Sequence, residues 1–173
     1  MREYDRIIFV GNRGNSREVM AACLLSRSTL TYHPEILARG LVVLFPEPLN
    51  QKAEAVLISN GFTLEGFVSQ QLEEEDLTEH SLVITFERET FEKIRNMWPK
   101  IRNLHVLTEI TGDELEIFDP VGQEIVTYGL CYTAIEKTVA KLAEILNQGL
   151  PEEEPAEPEE APEAPENGGN DGE

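Results

Sequence analysis

Cysteine and histidine are scarce in this chain: two cysteines and three histidines among 173 residues. So few cysteines exclude a disulfide-stapled scaffold. Cys23 and Cys131 fall on apolar positions of helical patterns, which predicts two buried thiols in a cytosolic protein. His33, His80 and His105 stand at no metal-ligand spacing from one another or from a cysteine, so no metal and no cofactor is expected. Basic residues are also few, 14 Lys and Arg against 33 Asp and Glu, for a formal net charge of −19. That balance argues against nucleic acid or an anionic membrane as a partner. No apolar run approaches ~18 residues, so no membrane span is expected. The opening Met1-Arg2-Glu3-Tyr4-Asp5 is polar and leads at once into an apolar run. It does not read as a signal peptide, and the expected location is the cytoplasm.

What is present is a composition of 40% hydrophobic residues, unevenly spread. Residues 1–149 carry apolar periodicity and are long enough for one domain with a real core. Residues 150–173 do not. From Pro151 onward they hold nine Glu and one Asp, no Lys or Arg, and almost nothing apolar. Such a segment cannot offset its ordering entropy and is expected to be a disordered acidic tail.

The most informative stretch runs from Arg6 to Leu25. Ile7-Ile8-Phe9-Val10 is an unbroken apolar run, the mark of a central parallel strand buried on both faces. Gly11 to Ser16 contains only Gly, Asn, Arg and Ser, so it turns. From about Arg17, Val19, Met20, Cys23 and Leu24 fall at helical spacing. A loop feeding a strand directly into a helix gathers backbone N–H groups at the positive end of the helix dipole, which favours an anion, phosphate above all. The loop lacks the Lys of G-x-x-x-x-G-K-[ST] and is not G-x-G-x-x-G, so it is neither a nucleotide P-loop nor a dinucleotide fingerprint.

The rest alternates. A second strand lies within Glu35–Phe45, its register open. Asn50 caps a helix with Ala53, Val56 and Leu57 inward, ended by Asn60-Gly61. Phe62 to Gln71 is irregular, and Glu73–Asp76 suits either the first turn of a short helix or a solvated turn. Leu82 to Phe86 is a third strand. Arg88 to Trp98 is a helix with Phe91, Ile94 and Met97 inward, closed by Pro99. Leu104 to Leu107 is a fourth strand. A long loop passes through Asp119-Pro120, and a final helix carries Tyr128, Cys131, Ile135, Val139, Leu142 and Leu146 inward. This order predicts an α/β fold: three α/β/α layers around a four-stranded parallel sheet, with ligands at the carboxyl ends of its strands.

Between residues 5 and 148 the chain resembles the low-molecular-weight protein tyrosine phosphatases, whose superfamily includes an arsenate reductase branch. In that family the first strand ends in a C-x5-R-S loop, followed by Pro-Met-Ala and a helix. Phe9-Val10 match the strand end, Arg17 the loop arginine, and Met20-Ala21 the helix start. Asp119-Pro120 matches the family's Asp-Pro, ahead of a tyrosine-containing last helix. Pro48, Ala53, Val56, Leu57 and Gly61 resemble the family's second helix, and Leu82–Phe86 with Glu87-Arg88 its third strand and following turn.

The resemblance implies a site and also a gap in it. In the family a cysteine thiolate attacks phosphorus, the loop Arg holds two phosphate oxygens, and the Asp of Asp-Pro protonates the leaving group. Arg17 takes the phosphate-binding position and Asp119 the general-acid position. The nucleophile's position falls on Gly11, which has no side chain to be phosphorylated. The supporting Ser is Glu18, the following Pro is Val19, and Val121-Gly122 replace the aromatic residues that often follow Asp-Pro. Ser16 and Cys23 are poor substitutes. Ser16 is displaced from the attacking position with no His placed as its base, and Cys23 lies one to two turns into the helix.

The candidate anion site is therefore Gly11, Asn12, Arg13, Gly14, Asn15, Ser16 and Arg17. If Asn15 is the N-cap, Glu18 stands at N3 in a capping box and competes with an anion for the same helix end. Alternatively Arg17 pairs with Glu18, Asp119 or a backbone carbonyl, and the loop is a quiet turn. Two function classes stay open: a pseudophosphatase that binds a phosphorylated protein, a small anion or a protein partner, and an active phosphatase with an unorthodox nucleophile.

Overall fold

In a computed structural model of the chain, residues 3–150 are described. The proposed acidic tail lies outside them, except for its first residue, Leu150. Four strands form one parallel sheet: β1 (Arg6–Gly11), β2 (Glu35–Gly40), β3 (Ser81–Thr85) and β4 (Leu104–Val106), in the order β2-β1-β3-β4. β1 lies between β2 and β3, with Ile7 opposite Ile36 and Leu82. Its position explains the unbroken apolar run: Ile7, Ile8, Phe9 and Val10 are all fully buried, because both faces are covered.

The pleat divides them between two cores. Ile7, Phe9, Leu82 and Ile84 face α1 (Arg17–Arg27), α2 (Gln51–Ser59) and α5 (Ile125–Gln148), where Met20, Leu57, Tyr128, Ile135 and Leu142 pack. Ile8, Val10 and Val83 face α3 (Arg88–Met97) through Ile94, joined by Leu72 and Leu104. The result is the expected three-layer α/β/α arrangement.

Several local expectations are refined. The second strand is Glu35–Gly40; Leu41–Phe45 leaves the sheet, and Leu44 and Phe45 are exposed. Glu74–Asp76 is a single 3-10 turn, closed by a capping box between Glu73 and Asp76. Met97 is half exposed rather than inward; Trp98, the C-cap residue, packs against the core there instead. The stretch after β4 is not all loop. It contains α4 (Leu107–Thr111), which stops at Gly112 in the left-handed region at φ 75°.

Asn50 caps α2 as its sequence position suggests, accepting from the N–H groups of Lys52 and Ala53.

Candidate functional site at the β1–α1 loop

The loop between β1 and α1 lies at the carboxyl edge of the sheet. Neighbouring backbone holds it in place. Leu41 N–H donates to Gly11 O at 2.8 Å, Val42 N–H to Asn12 O at 3.1 Å, and Asn50 N–H to Asn15 O at 3.0 Å. Gly14 sits at φ 74°, and a Cβ there would lie 2.6 Å from Gly40 N. Glycine is required at that point both for the backbone angle and for the close approach to β2.

The helix cap differs by one residue from the expectation. Ser16, not Asn15, is the N-cap of α1, and Ser16 O accepts from Val19 and Met20. Glu18 still reaches back to the cap: its carboxyl accepts the Ser16 N–H at 3.1 Å. Asn15 instead turns away, donating through Nδ2 to Glu47 and to Pro48 O at 3.4 and 3.3 Å.

Glu18 is 2% exposed and lies directly over Gly11. A Cβ added to Gly11 would overlap Glu18 Oε2 and stand 2.8 Å from its Cδ. The carboxyl thus fills the volume into which a Gly11 side chain would project. Burial raises the pKa of Glu18 above the ordinary carboxyl value, opposed by the backbone N–H groups of Glu18 and Ser16 and by the Arg17 charge.

Arg17 is 1% exposed, and its guanidinium is engaged on several sides. Nη1 donates to Ile117 O at 2.6 Å, and Nη2 to Glu87 Oε1 at 2.6 Å. Asp119 Oδ2 is 3.7 Å from Nη2, and Phe86 lies beneath the fork with its ring centroid 5.0 Å from Cζ. Asp119 also accepts from Asn12 Nδ2 at 3.3 Å and from Val121 N–H at 3.1 Å. The structure therefore brings Gly11, Arg17 and Asp119 together, although Asp119 is more than a hundred residues distant in sequence. Arg17 makes two of the pairings the sequence offered, with Asp119 and with a backbone carbonyl. Its third partner, Glu87, was legible only as part of a turn.

A cavity of about 190 Å³ opens over the loop, lined by Asn12, Arg13, Asn15, Ser16, Glu18, Asp119 and Val121. Neither cysteine belongs to it. Cys131 is buried, with its Sγ 3.8 Å from Phe118 O, and burial pushes its thiol up to about 12. Cys23 is half-buried and pushed up to about 11 for the same reason. Among the described residues no group of three or more His, Cys, Asp or Glu could hold a metal ion. No described helix is long and apolar enough to cross a membrane.

Comparison with known proteins gives a consistent result. The model of the family described as low molecular weight phosphotyrosine protein phosphatase matches residues 6–152. The low molecular weight protein-tyrosine-phosphatase Wzb of Escherichia coli K12 is 29% identical over 143 residues, 82% of this chain and 93% of Wzb. Among solved structures, the YwlE arginine phosphatase from Geobacillus stearothermophilus superposes with a TM-score of 0.74 at 26% identity. That match covers 82% of this chain and 91% of YwlE. The low molecular weight protein tyrosine phosphatase from T. tengcongensis, at 22% identity and a TM-score of 0.74, shares the fold over 80% of this chain and 97% of its own.

Proposed function

This chain belongs to the low molecular weight phosphotyrosine protein phosphatase family, and we propose that within it the chain is a pseudophosphatase: a cytoplasmic module that binds through the phosphatase loop without covalent cysteine chemistry. The pairing of Gly11 with Glu18 carries this reading. By the sequence correspondence the attacking thiolate belongs at Gly11. Glycine offers no nucleophile there, and the Glu18 carboxyl occupies the volume a side chain would need. Neither cysteine substitutes for it, since burial raises both thiols far above neutral pH.

The anion-binding role of residues Gly11 to Arg17 is weakened but not abolished in this reading. The backbone still turns from a strand into a helix N-terminus, a geometry that suits phosphate. Glu18 takes the Ser16 N–H that an anion would use, and Asp119 and Glu87 compete with an anion for Arg17. The ligand class is a phosphorylated protein or a small anion, bound weakly.

Two measurements on the full chain test this. Turnover of p-nitrophenyl phosphate is expected to be absent in wild type. Phosphate titration, followed by NMR of the loop amides, is expected to show weak saturable shifts in wild type and tighter binding in Glu18→Ser. Turnover that persists in Cys23→Ser and Cys131→Ser would overturn the reading in favour of a hydrolase with an unorthodox nucleophile. Loop amides that stay still in both proteins would remove the anion-binding role.

A further inference from the structure

The cavity over the loop contains polar groups that phosphate binding leaves unused. Asn15 lines it and is 7% exposed. Its Nδ2 is committed to Glu47 and Pro48, and its Oδ1, which can only accept, has no partner. Ser16 lines it too at 3% exposure, and its Oγ, beside the Tyr128 hydroxyl, makes no hydrogen bond of normal geometry. The carboxyl groups of Glu18 and Asp119 complete the polar lining on the acid side.

Three donors close to these acceptors are already committed: Asn12 Nδ2 to Asp119, the Ser16 N–H to Glu18, and the Arg17 fork to Ile117, Glu87 and Asp119. A buried acceptor without a donor costs free energy until one arrives. Phosphate at neutral pH brings chiefly acceptors. A lysine ammonium brings three donors and an arginine guanidinium five.

We propose that this cavity receives a cationic nitrogen head group, the ammonium of a lysine or the guanidinium of an arginine side chain, presented by a protein partner. Asn15 Oδ1, Ser16 Oγ, Glu18 and Asp119 accept from the head. The methylene stem lies along Val42 and Val121, 59% and 40% exposed; Val42 is tied to the loop through Asn12 O, and Val121 lines the cavity. The net charge of −19 favours the approach of a basic partner. Arg13 is the opposing cation on the lining, but it is exposed and can extend into solvent.

This inference rests on the reading of the loop as a non-covalent site with Glu18 in place, and its test is separate from the turnover assay. Titrate the full chain with Nα-acetyl-arginine amide, Nα-acetyl-lysine amide and inorganic phosphate at equal ionic strength. Follow the side-chain amide of Asn15 and the backbone amides of Ser16 and Val121 by NMR. Saturable shifts with one or both cations, at lower concentration than with phosphate, are expected, and the tighter of the two identifies the head group. Asp119→Asn removes one charged acceptor and is expected to weaken the cation roughly tenfold. Glu144→Gln, the same change of charge near the other end of α5, is expected to leave it unchanged. Equal weakening by both variants would reduce the effect to general attraction by an acidic protein. Shifts produced by phosphate at lower concentration than by either cation would overturn the proposal as well, while leaving the non-covalent reading of the loop intact.

Discussion

If the chain is the pseudophosphatase proposed above, a cysteine placed at Gly11 is the direct attempt to give it a nucleophile, and the geometry around Glu18 predicts that this fails alone. A Cβ at Gly11 stands 2.8 Å from Glu18 Cδ and overlaps its carboxyl oxygen, so the two side chains cannot share the space. The end of a glutamate side chain can move, but moving it forfeits the bond to Ser16 N–H and drives a buried carboxyl into packed surroundings. Leaving a buried donor unsatisfied costs about 1–3 kcal/mol, so Gly11→Cys is expected to destabilise by that amount. For a protein of this size that corresponds to a fall in Tm of about 2–4 °C per kcal/mol. Glu18→Ser on its own also destabilises, because it empties the space and removes the Ser16 contact. The double variant Gly11→Cys/Glu18→Ser fills that space with the thiol and is expected to be more stable than the sum of the singles by at least about 1 kcal/mol, the signature of side chains in contact. Urea unfolding of the four proteins measures this coupling, and p-nitrophenyl phosphate turnover is expected only in the double variant. Strict additivity, or turnover by Gly11→Cys equal to that of the double, would refute the steric argument.

Three other outcomes follow from the same geometry. Because burial raises the folded-state pKa of Glu18, the folded protein holds that proton more strongly than the unfolded chain. Stability from this group is complete below about pH 4.5, the ordinary value, and is lost as pH rises through the folded pKa; urea midpoints of wild type relative to Glu18→Gln should decline across that window, and a flat difference would show the carboxyl to be unperturbed. Arg17→Met leaves Glu87, Asp119 and Ile117 O without their shared donor, and is expected to cost about 3 kcal/mol by urea unfolding; a loss under about 1 kcal/mol would mean that the guanidinium is not a structural hub. With the Cys23 thiol pushed up to about 11, its labelling by a disulfide reagent at pH 8 should be roughly a hundredfold slower in the native protein than in urea, and equal rates would place Cys23 outside the core.

Much of the fold was legible because parallel sheets write themselves plainly. An apolar run such as Ile7 to Val10 must be covered on both sides, and helical stripes such as Tyr128, Ile135 and Leu142 supply one of the covers. Helix ends were legible where one residue suffices, as at Asn50, whose side chain bonds two amides of its own first turn. What the sequence leaves open falls where two neighbours compete for a role. Asn15 and Ser16 are both good caps. The choice was settled by Glu47 and Pro48, which draw the Asn15 amide away from the helix, and they lie more than thirty residues further along. Likewise Leu41 to Phe45 has strand-like composition, but β2 ends at Gly40, where the loop backbone at Arg13 comes too close for any side chain. No local pattern encodes that approach.

The site shows the same division between local and distant information. A buried arginine must have its charge answered, and the short sequence around Arg17 offers only Glu18 for that purpose. The structure assigns Glu18 elsewhere, to the Ser16 N–H and the space over Gly11, and answers Arg17 with Glu87 and Ile117 from distant parts of the chain. These two assignments depend on each other. If Arg17 turned inward to the Glu18 carboxyl, Glu87 and Ile117 O would lose their donor; if Glu18 left Gly11, Ser16 N–H would lose its acceptor. Gly11 is what permits the arrangement, since any larger residue there would displace the carboxyl. A substitution at position 11 is therefore felt first by Glu18 and only through it by the rest of the loop, which is why any side chain introduced at Gly11 calls for a change at Glu18 as well.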